Sequence, residues 1–119
     1  MKNLFITLVA VLLLVACGKD AKGVVEAYYS NLDKGEITEA SKLMSKRVSA
    51  MGGEEKVRAM LLQQAKRMQA KGGVASLVAE GEAKGEMGEF IVHIVYKDGT
   101  KADDKASVTK EEEGWKISP

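Results

Sequence analysis

The chain has 119 residues, with 18 lysines and arginines against 17 aspartates and glutamates, one cysteine, one proline and one tryptophan. A formal charge of +1 offers no polyanion-seeking surface, a lone cysteine cannot close an internal disulfide, and 12 glycines with a single proline fall short of a collagen-like or low-complexity chain. Nucleic acid is therefore not an expected partner, and one small domain remains once an apolar N-terminus is set aside. That N-terminus comes first in the chain. Met1-Lys2-Asn3 is a short basic start, and Leu4 to Ala16 follows as 13 residues interrupted only by Thr7. As a helix this run spans about 20 Å against roughly 30 Å of bilayer hydrocarbon, which suits a signal peptide better than a membrane anchor.

The boundary carries a sharper signal. Leu14-Val15-Ala16-Cys17 resembles the lipobox of bacterial lipoproteins, and Gly18-Lys19-Asp20 then turns abruptly polar. The competing reading is a short transmembrane helix with an incidental cysteine. The lipobox resemblance implies that residues 1–16 are removed, that Cys17 carries two or three acyl chains, and that residues 17–20 tether the domain to a membrane. Two chains suffice for stable anchoring at about 0.8 kcal/mol per buried CH₂. With Gly18 after the cysteine, the same resemblance implies the outer membrane, facing the periplasm, in a two-membraned bacterium.

Residues 21–119 read as helices, then strands. Asp20 is placed to cap a helix in which Val24, Tyr28 and Leu32 recur every four residues, flanked by Val25 and Tyr29, with Gly35 as its stop. Thr38 suggests a second cap, opening a short helix that buries Leu43 and Met44 and ends before Met51-Gly52-Gly53. The third helix runs from Glu54 to Lys71. Val57, Met60, Leu61, Ala65 and Met68 form its stripe, its acidic residues stand at the start and its basic ones near the end, and Gly72-Gly73 closes it. The period then changes to two. Leu77, Ala79, Gly81 and Ala83 define one strand face, Gly85 to Gly88 a turn, and Phe90, Val92, Ile94 and Tyr96 the next strand. Asp98-Gly99 leads into a strand over 101–110, and Glu113-Gly114 into a last one with Trp115 and Ile117. The expected fold class is α+β, with N-terminal helices packed on a mostly antiparallel four-stranded sheet.

Ala27-Tyr28-Tyr29, Leu32-Asp33-Lys34-Gly35-Glu36, Phe90-Ile91-Val92, Tyr96-Lys97-Asp98-Gly99 and the ending Gly114-Trp115-Lys116-Ile117 are similar to small bacterial lipoproteins of the DUF4878 type, in the NTF2-like superfamily. The resemblance spans most of residues 21–118. It implies a curved, cone-shaped α+β fold, and a superfamily that holds isomerases, dehydratases and cyclases beside non-catalytic binding and assembly modules.

Side chains must therefore decide function. His93, the only histidine, lies mid-strand between Val92 and Ile94. It is either a general base or, as the better-supported reading, a half-buried residue bonded across strands. Ile91 and Val95 beside it are expected to favour its neutral form, with Asp104 or Glu82 as the conceivable orienting partner. An isomerase would pair Tyr28 or Tyr29 with Asp103 or Asp104. Those two aspartates, however, sit in the charged stretch 101–105, which reads as a solvated or edge strand. Metal-ligand spacing, calcium loops and phosphate loops are absent from the sequence, so no metal and no cofactor is expected. Met44, Met51, Met60 and Met68 read as adaptable core filling. Tyr28 and Tyr29 are expected to diverge, one into the core and the other to the cone mouth, and Trp115 to sit in the core.

The ligand-pocket candidates are Tyr28, Tyr29, His93 and Trp115. No catalytic residue is assigned. The expected function is a lipid-anchored, non-catalytic binding or assembly module for an apolar ligand or an envelope protein, the alternative being an isomerase- or dehydratase-like enzyme. Because Ile91 and Val95 leave the second face of their strand apolar, a homodimer through the outer sheet face is also expected.

Overall fold

A computed structural model describes residues 20–118. The expected signal peptide, Cys17 and most of the expected tether lie outside the described residues, as does the Met51 side chain. Three helices precede four strands: α1 (Ala21–Asp33), α2 (Ile37–Lys42), α3 (Lys46–Ala70), β1 (Val74–Lys84), β2 (Met87–Tyr96), β3 (Lys101–Glu111) and β4 (Gly114–Ser118). The strands form one antiparallel sheet in the order β1-β2-β3-β4. Each hairpin joins neighbours in sequence, so the sheet is a meander with helices on one face.

The Asp20 side chain accepts a hydrogen bond from the Gly23 N–H at 2.7 Å, satisfying one of the otherwise orphan donors of the first turn. Ala21, Val24, Val25, Tyr28, Tyr29 and Leu32 are buried, at steps of three and four that lay one face of α1 on the sheet. The helix ends at Lys34, and Gly35 takes a φ of 75° where a side chain would be strained.

Two expectations about the helices need correction. The second helix has Glu36, not Thr38, at its N-cap position, with no side-chain capping bond, and it stops at Lys42. Leu43 and Met44 are not its buried side, because tertiary hydrogen bonds claim that backbone. Ile117 N–H donates to Leu43 C=O at 2.7 Å, and Ser45 N–H donates to Ile117 C=O at 2.8 Å, forming a parallel bridge that covers the edge of β4. The chain then re-enters helix at Lys46, earlier than the Glu54 start expected. Gly53, at φ 80° and ψ 161°, breaks α3 at the expected boundary, so the second part of α3 is the helix anticipated over 54–71. Val57, Leu61, Ala65 and Met68 are buried there, but Met60 is 58% exposed.

The sheet begins at Val74, before the Leu77 expected, since Val74 N–H donates to the Asp33 carboxylate at 2.9 Å. Along β2, Phe90, Val92, Ile94 and Tyr96 are buried under the helices with Ala79, Ala106, Val108 and Ile117 from the neighbouring strands. Burying this set supplies the main stabilisation, at roughly 25 cal/mol per Å² of apolar surface. Trp115 lies on this inner face but at its end. It is half-buried rather than core, with Lys110 Nζ 5.8 Å from its ring centroid. Because β4 pairs only with Ser107–Glu111, the first half of β3 has no strand beyond it.

Candidate functional site: a cleft between the third helix and the sheet

The short β4 leaves an opening between α3 and the free half of β3. One wall comes from a single face of α3, with Met60, Gln63, Gln64, Arg67 and Met68 at helical spacing and the cap residue Lys71 just past its end. The opposite wall is Tyr96 of β2 with Ala102 and Asp104 of β3, and Tyr29 of α1 lies at the back. The space is about 360 Å³, within the range of small-ligand sites. Exposed Met60, Gln63 and Arg67 keep its mouth open to water.

Asp104 and Asp103 part company because side chains alternate along a strand. Asp104 faces inward, half-buried, on the same face as Ala102 and Ala106, whereas Asp103 faces outward. The stretch 101–105 is thus solvated on one face only. The Asp104 carboxylate acts on all three tyrosines. Burial, reinforced by this charge, pushes the Tyr28 hydroxyl up to about 12, and raises Tyr29 further. Tyr96 moves in the same direction, through burial first, then Asp104 and Asp33. All three phenols stay neutral hydrogen-bond donors across the physiological range.

The two adjacent tyrosines do not diverge as expected. Both are buried, and their rings meet edge-on at 5.2 Å and 87°. The face of α1 is wide enough to hold positions 28 and 29 together. Tyr29 lines the cleft, and Tyr28 joins it in an adjoining hollow of about 400 Å³ bordered by Met44, Gln64, Ala106 and Ile117. Lys71 Nζ stands 4.8 Å from the centroid of the Tyr96 ring. Tyr96, Arg67 and Lys71 were not singled out from sequence. A basic residue every fourth position at a helix end, facing the last aromatic of a strand, was the available signal.

His93 lines neither space. It lies on the outer sheet face, where its Nδ1 is 2.9 Å from Asp103 Oδ1 and its Nε2 is 2.9 Å from Glu80 Oε1. Carboxylates accept rather than donate here, so this geometry suits a ring that donates from both nitrogens. The cross-strand reading of this residue holds. Its partners are Glu80 and Asp103 instead of Glu82 or Asp104, and the expected bias toward the neutral form is reversed in direction. The hydrogen bond to Glu80 and then that to Asp103 raise its pKa above 6.5, against a smaller desolvation effect. The carboxylates sit at opposite ring nitrogens and so do not converge with His93 on one point. Trp115 lines neither space either.

No family model matches the chain, and no curated protein matches it. Among solved structures it is similar to one from Campylobacter jejuni named "Putative NTF2-like transpeptidase", with a TM-score of 0.67 over 80% of this chain and 94% of that one. The fold is NTF2-like. At 13% identity the likeness is one of architecture, so the chemistry of an NTF2-like domain must be read from the cleft itself. Among the described residues, no helix is long and apolar enough to cross a membrane.

Proposed function

We propose that this chain is a lipid-anchored binding or assembly module of the bacterial cell envelope, held at the outer membrane through acylated Cys17, with the cleft between α3 and the sheet as its ligand site. The carrying observation is the make-up of that cleft. Neutral phenols, one carboxylate and two cations converge on it, yet among the described residues no serine, threonine, cysteine or histidine lines it. Transpeptidation, the activity in the neighbour's name, commonly uses a serine, threonine or cysteine nucleophile beside a base, and none of these lines the cleft among the described residues. Binding needs only fixed donors and acceptors around a space of suitable size. The outer sheet face, with Val78 51% and Ile91 38% exposed on adjacent strands, is proposed as the seat of a second copy.

One observation favours an isomerase- or dehydratase-like reading. Asp104 faces the Tyr29 hydroxyl, which is the pairing of carboxylate base and neutral phenol that such chemistry uses. Water at the open mouth argues against it, because proton abstraction next to a carbonyl relies on a closed site.

Anchoring is tested in cells fed a clickable fatty-acid analogue. The native chain is expected to label and to partition into detergent, and Cys17→Ser to remain an unlabelled precursor; equal labelling of both would overturn it. The binding role fails in favour of catalysis if Asp104→Asn abolishes a demonstrated turnover while the thermal melt stays unchanged.

A further inference from the structure

The charges of the cleft are sorted by wall. On the sheet side, Asp104 has no ion-pair partner among the described residues. Its neighbours in sequence are engaged on the other face, Asp103 with His93 at 2.9 Å and Lys105 with Glu89 at 3.4 Å. A half-buried carboxylate set against tyrosine rings is a poor arrangement for an empty site and a good one for an incoming cation. The face of the Tyr96 ring is already taken by the Lys71 ammonium, which leaves Asp104 as the seat for an incoming cation.

On the helix side, Arg67 and Lys71 lie one turn apart, about 6 Å along the axis. Arg67 enters no ion pair among the described residues, so its fork of donors is free for a carboxylate. Met60 and Met68 on the helix wall and Ala102 on the sheet wall give the cleft its apolar surface. A neutral or purely apolar occupant would leave Asp104 and Arg67 uncompensated. A simple anion would meet Asp104, and a simple cation would meet Arg67 and Lys71.

We propose that the cleft binds a small zwitterion whose two charges are several bonds apart, of the class of a dipeptide or an ω-amino acid, with its ammonium at Asp104 and its carboxylate at Arg67 and Lys71. This rests on the reading of the cleft as a ligand site. The ligand's backbone lies over Met60 and Met68, with Asp104 and Arg67 fixed on regular elements and Lys71 at the cap of α3.

The methyl groups of Met60 and Met68 are reporters inside the cleft. The full chain in detergent micelles, labelled with ¹³C at its methionine methyls, is titrated with glycylglycine, its N-acetyl form, its C-terminal amide, and the doubly capped neutral form. Glycylglycine is expected to shift both methyls, and removal of either charge to weaken binding about tenfold, the loss of one charge-assisted contact. Asp104→Asn should bring glycylglycine down to the affinity of its N-acetyl form. Arg67→Gln, at an exposed position that does not threaten folding, should bring it down to that of the amide. Equal binding by the neutral form would overturn the zwitterion and leave the ligand site standing. Silence from all four probes would overturn both.

Discussion

His93 shows how one side chain joins three strands. It sits on β2 and reaches Asp103 on β3 and Glu80 on β1, both at 2.9 Å. Its folded pKa is raised, so its contribution is fully present below the ordinary histidine value of 6.5 and is lost as pH rises through the higher folded value. We expect His93→Gln to lower the melting temperature more at pH 6 than at pH 9, with the gap narrowed by salt because the cluster is solvent-accessible. A melting difference that grows with pH would mean that the ring is neutral in the folded chain. The residue reading from sequence identified the cross-strand role but not the partners. Strand register decides those, since His93 pairs directly with Asp103 and Val78, placing Glu80 on the diagonal.

Among the elements, the β1–β2 hairpin is the least tolerant of change at one position. Gly81 adopts a φ of 144°, and a Cβ built there would come within 2.4 Å of the Glu89 carbonyl oxygen and 3.1 Å of the Phe90 Cα. Both obstacles are backbone, so no rotamer relieves them. Gly81→Ala is expected to destabilise the protein by about 2–4 kcal/mol, combining backbone strain and overpacking. Denaturant unfolding measures this, and a loss below about 0.5 kcal/mol, the scatter of ordinary surface substitutions, would show that β1 shifts freely. The alternation of Leu77, Ala79, Gly81 and Ala83 placed this glycine on the inner face from sequence. Its close approach to β2 was not legible, because that depends on how the paired strands are aligned. The helices show the same division. Gly53 and Gly72-Gly73 marked the ends of the long apolar stripe, whereas the release of Leu43 and Met44 from helix required the main chain of Ile117, 74 and 73 positions away in the sequence.

For the whole molecule, the outer sheet face is the open question with a direct measurement. Val78 and Ile91 lie exposed around the His93 cluster, with Val95 half-buried beside them. Sedimentation of residues 18–119 over rising concentration is expected to show a dimer, and Ile91→Lys to shift it to monomer, since burying a lysine against its own copy costs more than the lost apolar contact returns. Monomeric behaviour of both chains at high concentration would remove the proposal and leave this face to solvent. The two faces act independently: the cleft lies under the helices, and this patch lies on the other side of the sheet.

By itself the sequence determined the order of helices and strands, the α+β class, the inner face of β2 and the cap at Asp20. These follow from short-range periodicity and from residues whose backbone preferences are local. The tertiary structure alone decided the site. Asp104 and Asp103 are adjacent in sequence, yet one enters the cleft and the other clamps His93, because alternation divides them and the shortness of β4 uncovers the edge where Asp104 sits. Tyr29, Tyr96, Asp104 and Arg67 come from four different elements. No spacing along the chain brings them together; packing of α3 against the open half of β3 does.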